Sequence, residues 1–246
     1  MFPSLSPWFN LACLRHERTI MVSTNLVFRC VTTVFSFLVI IGNVQAISVP
    51  PRHSTPNLVP IPTNAPKKWI HPGVFVHAEQ LDFVAAKVSH NAEPWSNAFN
   101  SMLNYNYSSP TRTAKPYKTV ECGPTSTPNI GCYQEREDSM AAYINSLAYW
   151  ITKERKYAAK AIYYMDAWSS TIKGHNNSNA PLQAAWSAAN WVRAGEIMRY
   201  APGAGWSKKS TQQFEDMLTQ VYLPIILPGD TKNNGNWDLG MNIEFN

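Results

Sequence analysis

Charge is scarce in this chain, and so is cysteine. Asp, Glu, Lys and Arg make up 15% of the 246 residues, and there are four cysteines. No segment gathers Lys and Arg into a basic stripe and no recognised binding motif occurs, so a nucleic-acid partner is not expected. Cys122 and Cys132 have no His pair near them, which argues against a four-ligand zinc site, and neither a metal nor a cofactor is expected. No sustained alternation of apolar and polar residues marks a strand. The one prominent apolar run is Val31 to Ile41, short for a bilayer span. Preceded by Arg29 and followed by Val44-Gln45-Ala46, it reads as a secretory signal cleaved after Ala46, with a membrane anchor as the lesser reading. Met21 offers a more ordinary start for that signal than Met1.

What is present points to a folded, exported protein. Hydrophobic residues at 45% and aromatics at 12% are ample for a buried core. With Cys13 and Cys30 in the leader, Cys122 and Cys132 remain as a pair with nine residues between them, and a disulfide closing a tight loop is the simplest reading. Asn106-Tyr107-Ser108 and Asn176-Asn177-Ser178 are glycosylation sequons if the producing cell is eukaryotic. The expected location is extracellular, or periplasmic in a Gram-negative source, with no membrane contact after signal cleavage. Without the leader, 18 basic groups stand against 15 acidic, a balance mildly favourable to a polyanion. Residues 47–68 carry six prolines and read as an extended linker, which leaves 69–246 as the folded part.

That part is patterned for helices. Leu81, Val84, Ala85 and Val88 predict a first helix, and Trp95, Ala98, Phe99 and Met102 a second behind Pro94. Asn104 to Glu135 has turn residues and no period, and reads as a long loop pinned by the disulfide. Met140, Ile144, Leu147 and Ile151 predict a helix from about Arg136 to Thr152, and Ala158 to Trp168 its antiparallel partner. Asn179 caps a helix reaching Arg199, and Ser207 caps another that Pro224 should stop. Six helices in three pairs predict an all-α protein, an α/α-hairpin array.

Two loops concentrate amides and indoles. The run from His175 to Trp186 lies between two predicted helices, and Asn233-Asn234-Gly235-Asn236-Trp237-Asp238 follows the last one. Amides suit hydroxyls and carboxylates, and indoles suit sugar faces. His175, whose ordinary pKa lies near neutrality, is a candidate for proton transfer. Asn179 can act as a helix cap and as a contact. Arg136 can read a carboxylate, or simply join an ion pair at a helix start. Trp186 and Trp191 have a spacing that suits a core, whereas Trp237 in a polar loop suits stacking.

His71-Pro72-Gly73-Val74-Phe75, Glu121-Cys122-Gly123, Glu135-Arg136-Glu137-Asp138, the run from His175 to Trp186, Ala194-Gly195-Glu196-Ile197 and Asn234-Gly235-Asn236-Trp237-Asp238-Leu239 together resemble the alginate lyase superfamily. The likeness spans about Trp69 to Leu239. It implies a secreted polysaccharide lyase with an incomplete (α/α) toroid or barrel, shortened at its C-terminus. It also implies an acidic polysaccharide substrate, alginate or a glucuronan, cleaved by β-elimination. On that resemblance His175, Asn179 and Asn236 are the catalytic candidates, and Gln183, Arg136, Trp186 and Trp237 the substrate contacts. No metal is needed where side chains stabilise the enolate-like charge. A glycoside hydrolase on a helical scaffold, with Asp138 and Asp238 as paired acids, and an inactive carbohydrate-binding protein are the alternatives.

Overall fold

The structure, a computed structural model, describes residues 69–228 and Trp237. The signal and linker expectations, Asn236 and Asp238 fall outside the described residues. The described chain is mostly helical, with a small sheet that sequence patterning did not predict. The helices are α1 (Ala78–Ser89), α2 (Trp95–Asn104), α3 (Cys132–Thr152), α4 (Arg155–Thr171), α5 (Ala180–Tyr200), α6 (Lys208–Met217) and α7 (Leu223–Ile226). The strands are β1 (Thr119–Cys122), β2 (Asn129–Ile130) and β3 (Gly174–Asn176). No helix among the described residues is long and apolar enough to cross a membrane.

The sheet corrects the purely α expectation. Its order is β2-β1-β3, with β1 antiparallel to β2 and parallel to β3. Strands this short leave no periodic signal in sequence. They are stabilised by position: Val120 on β1 is fully buried and pairs with His175 on β3. The expected disulfide joins Cys122 at the end of β1 to Cys132, the first residue of α3, with Cα atoms 6.0 Å apart. It anchors the 105–131 segment to the main helix at the expected place, and α3 begins four residues before the Arg136 that periodicity indicated. Gly131 makes that entry possible, since its φ is +82° and a Cβ there would lie 2.7 Å from the Tyr117 ring.

The core lies between α3, α4, α5 and α6. Alanine is frequent where helices meet: Ala141, Ala142, Ala148, Ala161, Ala184, Ala188 and Ala194 are all buried, which lets the axes approach. Larger rings fill the spaces between. Trp168 and Trp191 are fully buried with centroids 6.2 Å apart, and Phe214 of α6 meets Trp191 edge-on at 6.3 Å. The short Lys153–Glu154 turn makes α3 and α4 a hairpin. By contrast α3 and α5 run side by side in the same direction: Arg136 is near Trp186, Ser139 bonds Asn190, and Ser146 reaches Ala194.

Ser207 caps α6 by accepting from the Ser210 amide at 3.1 Å, as the sequence predicts. Pro224 does not stop that helix. A π-helical turn, Leu218–Tyr222, follows α6 and leads into α7, where Pro224 occupies the first turn.

Gly195 sits where α5 touches α6, and a Cβ there would come within 2.6 Å of Phe214 Cε1. Gly195→Ala is expected to destabilise the protein by about 1–3 kcal/mol through overpacking. Denaturant unfolding checks this, and an unchanged midpoint would show that Phe214 yields freely.

Candidate functional site

Two neighbouring arrangements on α3 and α5 bear the chemistry, one enclosed and one open. The enclosed one centres on Glu135, which is fully buried. Its Oε1 lies 2.6 Å from His175 Nε2 and accepts from the Tyr222 hydroxyl at 2.6 Å, while Oε2 accepts from Gln183 Nε2 at 2.6 Å. A carboxylate only accepts, so Nε2 carries the imidazole proton. Trp191 Nε1 donates to the Tyr222 oxygen at 3.0 Å, and Gln183 Nε2 also reaches the Cys132 carbonyl at 3.0 Å. Burial first, and then the Glu135 charge and hydrogen bond, push the Tyr222 phenol well above its ordinary value, so it stays protonated and donating.

Four separate segments meet at Glu135: α3 itself, β3, α5 and the π-helical turn. The 2-residue period of β3 turns His175 inward beside Val120, and the π turn places Tyr222 edge-on to that imidazole, with centroids 4.9 Å apart. The structure therefore brings His175 and Gln183 together, but beneath the surface. The His175 side chain has no solvent exposure, and its Nδ1 is enclosed without a hydrogen-bond partner among the described residues. The loop reading of His175 is corrected: it lies on a strand and faces inward.

The open arrangement begins one residue further along α3. Arg136 lies over the Tyr133 ring at 4.9 Å and the Trp186 ring at 5.3 Å. Both rings are exposed, Tyr133 at 54% and Trp186 at 43%, so Trp186 is not core although its helical spacing permits it, while Trp191 is. Around them is a cleft of about 410 Å³ lined by Tyr107, Tyr133, Arg136, Glu137, Met140, Trp186 and Asn190. Arg136 has no ion pair among the described residues; the acid beside it, Glu137, pairs instead with Arg112 Nη2 at 3.2 Å.

Arg112 also explains how the long loop is held below this cleft. Its Nη1 donates to the buried Asp138 at 2.5 Å, and Asp138 further accepts from Trp168 Nε1 at 2.8 Å and the Lys115 amide at 2.7 Å. Burial opposes the Arg112 charge, but hydrogen bonds to Tyr164 and Asp138 outweigh it and hold the guanidinium above its ordinary pKa. With its two oxygens committed in this way, Asp138 has the geometry of an anchor.

Asn179 occupies the cap position of α5, yet its side chain makes no capping bond. Its backbone does the fastening, donating to the Cys122 carbonyl at 2.9 Å and accepting from Gln183 N at 2.9 Å. Trp237 is half-buried against the hydrophobic core. Sequence reasoning missed Tyr133 and Glu135 as site residues; both sit next to Arg136 in helical order, which was the available signal. No group of three or more His, Cys, Asp or Glu that could hold a metal ion occurs among the described residues. Compared with known proteins, the chain matches no family model, no curated protein and no solved structure.

Replacing Tyr222 with Phe removes one donor from Glu135 and the acceptor from Trp191, and should cost about 1–3 kcal/mol. It should also alter alkaline unfolding. Unfolded Tyr222 loses its proton near 10.0 while the folded phenol keeps it, so folding stability falls as pH rises above that value. Unfolding followed between pH 8 and 11 should show a shallower alkaline decline in Tyr222→Phe, and an identical slope would contradict the assignment.

Proposed function

We propose that this chain is a secreted polysaccharide lyase that cleaves a uronate-containing polymer, alginate or a glucuronan, by β-elimination on an α/α-hairpin scaffold of toroid type. The observation that carries the reading is the Arg136 cleft. A guanidinium with no ion pair among the described residues, set against two exposed aromatic side chains, matches a uronate: the fork takes the carboxylate and the rings take the apolar sugar faces. The ordered motifs that resemble the alginate lyase superfamily supply the reaction type, and the parallel α3 and α5 fit successive hairpins of such an array.

Elimination requires the uronate carboxylate to be neutralised, the C5 proton removed and the O4 leaving group protonated. Arg136 is our candidate for the first task, and Asn190 lines the same cleft. Tyr107 and Tyr133 are the phenols at the cleft and the candidates for moving the proton. His175 is reassigned to a positioning role, since it meets Glu135 and no solvent. Asn179 and Asn236 remain proposed carboxylate contacts, and Trp237 a proposed sugar contact. A binding-only protein is the second reading, favoured by the enclosure of His175.

Incubation with alginate, glucuronan and a neutral glucan separates these readings. Ultraviolet absorbance rising on a uronate polymer alone is the expected result, with Arg136→Ala lowering the rate about 10²-fold. New reducing ends without absorbance would indicate hydrolysis, and affinity without either product would leave a binding protein. Tyr133→Phe and Tyr107→Phe then identify the proton carrier, whose loss should lower kcat by about 10² or more.

A further inference from the structure

Arg112, Arg136 and Arg193 each lie over two aromatic rings, but among the described residues only one of them has an acid. Arg112 stands over Tyr107 and Tyr164 at 5.7 and 5.4 Å and is paired with Asp138 and Glu137. Arg193 stands over Phe75 and Tyr143 at 5.0 and 5.9 Å, with no ion pair among the described residues and its Nε enclosed without an acceptor. Stacked rings satisfy a guanidinium's faces and leave its in-plane donors for an anion. Among the described residues, no acid stands at Arg136 or Arg193 as Asp138 and Glu137 do at Arg112.

The two arginines without an acid among the described residues belong to one surface. Arg136, Met140 and Tyr143 lie on one stripe of α3, and Trp186, Asn190 and Arg193 on the facing stripe of α5, each at i, i+4 and i+7. Seven helical residues separate the two ring-flanked positions, about 10 Å along the axes. Met140 and Asn190, which line the Arg136 cleft, fill the interval. Phe75 is held over Arg193 by a fixed segment, because His71 hydrogen-bonds Glu196 and stacks on Tyr200 of α5 with centroids 4.1 Å apart. Burial raises the Tyr143 phenol above its ordinary value while Arg193 opposes the shift, so Tyr143 adds no negative charge to compete for the guanidinium.

We propose that Arg193, between Phe75 and Tyr143, is a second carboxylate-binding subsite, and that the α3/α5 surface engages an acidic polysaccharide over several sugars. The inference rests on the reading of the Arg136 cleft as a uronate site. Its test is calorimetric titration of the full chain with oligouronides of two, four and six sugars. Arg193→Gln should weaken the hexamer roughly tenfold, the loss of one charge-assisted pair, and the dimer less than twofold. Arg136→Gln should weaken every length, and Arg193→Lys, which keeps the charge but loses the planar fork, should fall between. Circular dichroism checks that each variant is folded. If folded Arg193→Gln binds the hexamer as the parent does, or weakens all lengths equally, the second subsite is overturned while the Arg136 site stands. Length-dependent binding without ultraviolet product would instead overturn the lyase reading and keep the subsite. No binding of any oligouronide by the parent chain would overturn both.

Discussion

A carboxylate taken wholly out of water is the constraint around which this molecule is arranged. Desolvating Glu135 is unfavourable unless every lone pair facing the interior finds a donor. The chain meets that demand with His175, Gln183 and Tyr222, drawn from segments 40, 48 and 87 residues away. Each donor is held by a further contact: His175 by the parallel pairing of β3 with β1, Gln183 by the Cys132 carbonyl, and Tyr222 by Trp191. Any of these segments that shifts leaves a buried charge under-bonded, so the network specifies one packing arrangement rather than merely tolerating it.

The open cleft inherits its precision from that arrangement. Arg136 follows Glu135 directly, and Trp186 is one turn beyond Gln183, so the register that joins Glu135 to Gln183 also sets the ring against the guanidinium. The side chains that face solvent thus stand on rigid helices, with a dry polar cluster underneath. The disulfide and the Arg112–Asp138 pair hold the intervening loop against the same stretch of α3 from two directions.

Legibility in the sequence followed the length of each signal. The long amphipathic helices, the Ser207 cap and the disulfide could be read, because periodicity over several turns, a capping residue and an isolated cysteine pair are local features. The small sheet could not, since β2 has only two residues and β3 three, and their pairing is set by segments distant in the chain. The placement of His175 was hidden for the same reason: as the partner of Val120 it faces inward, whereas among asparagines in a polar run it reads as exposed. Arg136 and Trp186 were found individually, but their contact depends on the parallel run of α3 and α5, which no local pattern encodes. Tyr133 was passed over because one aromatic among eleven tyrosines carries no distinguishing mark until its neighbours are known.

The π-helical turn has a consequence for how this chain can vary. Its wider loop holds one residue more than a regular helix would need, and the advance per residue in an α-helix is about 100°. Removing a single residue between 218 and 222 would let α6 run on as a regular helix, and the change would fall on the side chains of the turn itself, the phenol that reaches the buried acid among them. A one-residue deletion here is therefore expected to disturb Glu135 through its donor, whereas substitutions that keep all five residues leave the backbone that carries Tyr222 in place.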